Sequence, residues 1–241
     1  MATQTAAPLK AGEQTRKDRR FFVVMAIAST LVVFLGFGRT YYLKNYFGTP
    51  QLTTLLHLHA AVFTLWMPFF IGQTILIASN RPQVHRRLGY AGAALAIAMV
   101  APGTAVAFKA RLLGHGAPSP DALFLVSLGD IFTFAVFVGG GFLFRRNREA
   151  HQRLMMLAVV AGLLSAAIQR IPDFRDHPGA VLFLGLTFIL AGPIYDLLTR
   201  RRIHTAYIWG CSFAILTLAP IRIVLSLTPA WHRIAKWLIG N

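Results

Sequence analysis

Seven stretches of the chain are apolar with few interruptions, at about 21–38, 54–79, 87–108, 121–144, 151–169, 178–198 and 204–227. Crossing a hydrocarbon core takes roughly 20 residues at 1.5 Å rise each, and these runs match that length. Lipid offers no partner to unpaired backbone groups, so helix is the only workable assignment for such runs. The pattern predicts an all-α integral membrane bundle of about seven transmembrane helices. One transmembrane domain covers 21–230, a polar basic tail covers 1–20, and a short amphipathic interfacial segment covers 231–241.

Composition agrees with the pattern. The chain is 56% hydrophobic and 13% charged, with a mean hydropathy of +0.57, whereas soluble domains carry about 25% charged residues. The net charge of +16 would suit nucleic acid, but the basic residues lie in short clusters between apolar runs. That placement belongs to membrane anchoring. The partners expected are therefore the lipid bilayer and other subunits or a second copy, with no nucleic acid. Cys211 is the single cysteine, which excludes an intramolecular disulfide and a thiolate metal cluster.

Charge bias sets the expected orientation. With the N-terminus inside, fifteen Lys and Arg fall in the cytoplasmic connections and eight outside, Arg222 lying within the last span. The N-terminus is then cytoplasmic and the C-terminus outside, in a bacterial inner membrane. Tyr41, Tyr42, Tyr46 and Trp231 fall where an outer aromatic belt belongs. Three spans start with a basic cluster and a histidine: RPQVHRRLG at His85, REAHQRLMM at His151 and RRRIHTAYIWG at His204. The first two share H-x-R-L. The recurrence suggests three helix hairpins after a lone first helix.

Ionisable residues inside spans are costly and mark candidate sites. His57 and His59 open the second span at its outer end. Asp130 sits within LVSLGDIFTF, Arg170 closes the fifth span ahead of Asp173 and Arg175, and Arg222 sits within APIRIVLSL. All fall in the outer half, which suggests one outward-facing polar pocket built from His57, His59, Asp130, Arg170 and Arg222. Residues two apart on a helix are about 200° apart, so His57 and His59 face different neighbours. A plain ion pair of Asp130 with Arg170 or Arg222, and arginines snorkelling to headgroups, would account for the same residues without a ligand. At the inner end, His85 and His151 are candidate axial ligands of a b-type haem, with neighbouring arginines to neutralise its propionates. The alternative for His85, His151 and His204 is contact with headgroups or loop carbonyls. Pro68 is expected to bend the second span, and Gly139–Gly141 to permit close helix packing.

Walker A, G-x-G-x-x-G, H-E-x-x-H, G-x-S-x-G and C-x-x-C signatures are absent from the sequence. No catalytic residue is assigned, and the chain is not expected to be an enzyme on its own. The stretch HLHAAVFTLWMPFFIGQTILIASNRPQVHRRLGYAGAALA, with GFGRTYYL before it and HQRLMMLAVVAGLLSAAIQR after it, resembles a widespread group of uncharacterised bacterial polytopic membrane proteins. The H-x-H and H-R-R-L-G elements are loosely similar to small cytochrome-b-like and oxidase-assembly membrane families. That likeness implies handling of haem or copper. Three functions follow: a b-type haem or quinone-linked redox subunit, a small-solute or proton transporter or sensor, and a structural or assembly subunit.

Overall fold

The computed structural model describes residues 11–115, 119–172, 174 and 177–240. Asp173 and Arg175 of the sequence reading, and residues 1–10 of its basic tail, lie outside the described residues. Among the described residues ten α-helices follow one another: α1 Ala11–Phe37, α2 Thr54–Ala78, α3 Pro82–Leu112, α4 Pro120–Leu143, α5 Arg148–Gly162, α6 Leu164–Ile168, α7 Pro178–Arg200, α8 Thr205–Leu216, α9 Ala219–Ser226 and α10 Pro229–Ile239. A π-helical turn, Gly38–Tyr42, extends α1, and no strand occurs among the described residues. Seven helical units are long and apolar enough to span a bilayer: α1 with its π turn, α2, α3, α4, α5 with α6, α7, and α8 with α9. The first begins well before the apolar run, because the basic segment up to Arg20 continues the same helix.

Local chemistry starts most of these helices. Prolines stand in the first turn of α3, α4, α7, α9 and α10, where the missing N–H would have had no helical partner. Thr53, Ser119, Asn147 and Thr228 accept a backbone N–H with their side chains at the starts of α2, α4, α5 and α10. Pro68 lies inside α2, which runs unbroken past it between buried Trp66, Met67 and Phe70.

The bundle is inside-out relative to a soluble protein. Leu31, Ile97, Phe132, Phe183 and Leu198 are all more than half exposed, a surface suited to acyl chains rather than to water. The centre of the bundle is α5, where Met156 to Val160 are buried in an unbroken run. A helix buried on all sides must be ringed by others, and α1, α4, α7 and α8 surround it. Trp66 meets the Phe134 ring edge-on at 5.1 Å, an arrangement worth about 0.5–1.5 kcal/mol beyond the area it buries. Close approach is set at Gly36, where a Cβ would collide with the backbone of Ala167.

Two spans are broken. The fifth breaks at Leu163, between α5 and α6. The seventh breaks at Thr217–Leu218, just before Pro220, whose nitrogen carries no hydrogen to continue the ladder. The Thr217 hydroxyl bonds back to the carbonyls of Phe213 and Ala214 and so satisfies groups that the break would strand. The third expected hairpin differs in its packing. Rather than settling mainly on α7, α8 packs on α5 and α9 on α4.

Candidate functional site

Three polar clusters and one aromatic cavity lie within the bundle. In the half of the bundle away from the N-terminus, the side chains of Asp130 (α4) and Arg222 (α9) meet. Arg222 Nη2 donates to Asp130 Oδ1 at 2.6 Å, and the Ser165 hydroxyl donates to Oδ2 at 2.7 Å. Arg222 Nη1 also donates to the Val126 carbonyl. Asp130 and Arg222 are 8% and 6% exposed, so this charge pair is held almost wholly out of solvent. Gly129 leaves the room for it, because a Cβ there would strike the guanidinium. Arg222 Nε remains buried with no hydrogen-bond partner. Ser165 follows the break in the fifth span and Arg222 follows the break in the seventh. The pair is therefore assembled at two helix interruptions.

His59 does not join this pair. Its ring lies 4.3 Å from that of Phe63, and a Cβ at Gly103 would be 3.7 Å from it. His59 helps line a cavity of about 50 Å³ with Phe37, Tyr41, Tyr42, Phe63 and Thr64. The Tyr42 and Thr64 hydroxyls are 2.8 Å apart. His57 turns the other way, its ring 5.8 Å from that of Tyr41. The exposed Arg170 lays its guanidinium over Phe37 at 4.9 Å and is close enough to act electrostatically on both His59 and Asp130. The five residues thus share one half of the bundle but not one site: Asp130 and Arg222 form a closed ion pair, His59 lines the aromatic cavity, and His57 and Arg170 only touch its Tyr41 and Phe37 rings.

At the opposite end, His85 and His151 come together with ring centres 6.0 Å apart and planes at 82°. His85 Nδ1 is 3.3 Å from the Gln73 carbonyl of α2, and His151 Nδ1 is 2.7 Å from the Gly141 carbonyl of α4. A carbonyl can only accept, so each Nδ1 carries the hydrogen, and a neutral ring then leaves Nε2 with a free lone pair. Two imidazoles in the same tautomer, each oriented through Nδ1, are the arrangement that metal-binding histidines adopt. Among the described residues no group of three or more His, Cys, Asp or Glu is placed to hold a metal ion.

His204 stands apart from that pair and acts as the N-cap of α8: its Nδ1 accepts from Ala206 N–H, and its own N–H donates to Asp196. Burial, followed by the Arg153 cation, pushes its imidazole below the ordinary value of 6.5.

A third polar group escaped the sequence reading. Arg153 (α5) and Asp196 (α7), each 1% exposed, form a two-pronged pair at 2.9 Å and 2.7 Å. Glu149 also pairs with Arg153, and Arg200 bridges Glu149 at 3.0 Å and Asp18 of α1. Asp18 in turn accepts from Tyr195 at 3.0 Å and Gln14 at 2.8 Å. A signal was present in the sequence, since Asp196 interrupts the apolar run ILAGPIYDLL one helical turn before Arg200.

No protein-family model, no curated protein and no solved structure matches this chain.

Proposed function

We propose that this protein is a redox subunit of the bacterial inner membrane that holds a b-type haem between His85 and His151 at its cytoplasmic end. The observation that carries this reading is the imidazole pair itself, two rings oriented by backbone carbonyls at 6.0 Å. Two imidazoles on opposite sides of a metal, with metal–nitrogen bonds of about 2 Å, have ring centres roughly 6 Å apart. A bare ion would want further protein donors, and none complete a cluster among the described residues. Haem iron needs only two, because the porphyrin supplies the other four nitrogens.

The surrounding residues suit that role. Arg86 and Arg87 follow His85 directly, and Arg145, Arg146 and Arg148 precede His151, so the cationic charge that haem carboxylates require is close in sequence. The Gln73 and Gly141 carbonyls fix the tautomer and would raise the basicity of each Nε2. Haem bound there supplies one-electron transfer. The test is a reduced-minus-oxidised visible spectrum of purified protein made in haem-supplied cells. Near-stoichiometric b-type bands that vanish in both His85→Ala and His151→Ala are expected. A flat spectrum from the wild type would overturn the reading.

A second reading, proton or small-solute transport, is favoured by one specific observation. The buried carboxylate Asp130 lies at two broken spans, and discontinuous helices with buried charges border substrate paths in transporters. Uptake or proton flux in proteoliposomes, compared between wild type and Asp130→Asn, decides it. Equal flux in both would remove this alternative.

A further inference from the structure

We infer that the open groove where the start of α1 meets the end of α2 is a site for one anionic phospholipid. Its phosphate sits among Arg16, Arg19 and Arg20, and an acyl chain follows Val23 and Val24. The inference is independent of the haem reading.

Three observations carry it. The first is the pattern of the lining. Positions 16, 19, 20, 23 and 24 fall at i, i+3, i+4, i+7 and i+8, which is one face of a helix. All five line a groove of about 770 Å³ that Ala78 of α2 also lines, within the range of about 300–1,000 Å³ usual for ligand clefts. The face turns from basic to apolar between Arg20 and Val23. Arg16 to Val24 spans about 12 Å along the axis, more than the roughly 5–8 Å depth of a headgroup layer. One lipid in the groove therefore meets arginine at its phosphate and valine at its chain, and Val24 is 62% exposed to receive it.

The second is charge without counter-charge. Like charges three and four residues apart on a helix repel, and the acids of α1 are committed elsewhere. Glu13 pairs with Lys17 at 3.1 Å, and Asp18 pairs with Arg200 and accepts from Tyr195. Among the described residues no Asp or Glu pairs with Arg16, Arg19 or Arg20. The third is hydrogen-bonding capacity. Arg19 reaches the Ala78 carbonyl at 3.4 Å and the Asn80 side-chain oxygen at 3.5 Å, long bonds that hold it at the wall formed by α2. Arg16 and Arg20 are exposed, and each guanidinium offers five donors in a fork that matches a phosphate. Basic pockets between spanning helices hold acidic lipid heads in this way. A zwitterionic lipid fits less well, because its own ammonium answers its phosphate. A free phosphate ion leaves the apolar half of the groove uncovered.

Native mass spectrometry of detergent-purified protein titrated with dioleoyl phosphatidylglycerol tests the assignment. Dioleoyl phosphatidylethanolamine is the zwitterionic control and glycerol phosphate the chainless one. One phosphatidylglycerol retained in preference to either control is expected. Arg16→Gln/Arg20→Gln, which spares the Arg19 tether, is expected to weaken that binding about thirtyfold. Arg201→Gln/Arg202→Gln removes the same charge from exposed positions beside Arg200, which pairs with Asp18 of α1, and is expected to leave binding unchanged. Thermal melting confirms that both variants fold. Equal retention of phosphatidylethanolamine or of glycerol phosphate by the wild type overturns the proposal without any variant. Binding unchanged in Arg16→Gln/Arg20→Gln overturns it too, as does an equal loss in the two double variants, which would mean that charge acts without a site.

Discussion

The molecule buries two aspartate–arginine pairs, and they are built on different plans. Arg153–Asp196 is two-pronged, Glu149 and the backbone N–H of His204 add further hydrogen bonds, and the Arg200 cation stands beside it with its buried Nε unmet, 3.7 Å from Asp196. Through Asp18 the cluster ties α1, α5 and α7 together at the end where the chain begins. Asp130–Arg222 is single-pronged, has one hydroxyl and one carbonyl as further partners, and leaves Arg222 Nε unmet. It sits at helix breaks, whereas the other pair sits near unbroken helix ends. A buried network tied by more hydrogen bonds is the more rigid one. The inner cluster therefore acts as a clasp, and the outer pair is the place where the fold tolerates polar strain.

The contrast can be broken by measurement, starting with its largest consequence. Arg153→Met leaves Asp196 buried, with Arg200 Nε at 3.7 Å as its nearest remaining cationic nitrogen. Breaking a buried pair from one side costs about 3–5 kcal/mol, so thermal unfolding in detergent should show a severe loss. Adding Asp196→Leu should restore most of it. A single variant as stable as wild type would remove the clasp.

Next in size, Asp130→Asn keeps the shape, and its amide oxygen can still accept from Arg222 while its NH2 donates to the Ser165 hydroxyl, so its cost is about 1–3 kcal/mol. A loss equal to that of Arg153→Met would erase the distinction between the two pairs. Ser165→Ala, which deletes one hydrogen bond to the carboxylate, should cost about 1 kcal/mol in the same assay.

The smallest effect concerns pH. Burial, with the Arg153 cation second, holds His204 below its ordinary 6.5, so the unfolded chain binds the proton more readily than the folded one. Its contribution to stability is complete above 6.5 and declines as the pH falls through that value. Protonation also removes the Nδ1 acceptor that caps α8. Lowering the pH from about 7.5 to about 5.5 should depress the melting temperature by about one or two degrees, an effect softened by solvent screening. His204→Asn, a cap that does not titrate, should flatten that dependence. An unchanged slope would show that other groups set it.

The seven spans were legible because lipid permits few alternatives, and their boundaries agree with the helices to within a few residues except in α1. Asp130 and Arg222 were each legible as a buried charge because each interrupts an apolar run, but the sequence left Arg170 or Arg222 open as the partner of Asp130. The divergence of His57 and His59 followed from helical geometry. Arg153 was not legible. It occupies the same place in H-x-R-L as Arg87, yet Arg87 is exposed and Arg153 is buried. What separates them is the rotation of α5 into the centre of the bundle and a partner 43 residues away, and neither is written in the local pattern. The packing of the last span on α4 and α5 was equally hidden, although Pro220 marked its break.

The wiring of the outer pair also has a consequence for synthesis. Asp130 and Arg222 are 92 residues apart in sequence, and translation proceeds at about 5–20 residues per second. For roughly 5–20 seconds after α4 is made, its carboxylate therefore exists in the membrane without its arginine. During that interval the growing bundle holds an acid whose arginine partner has not yet been made. Completion of the final span supplies that arginine, so the outer pair is among the last tertiary contacts the growing chain can make.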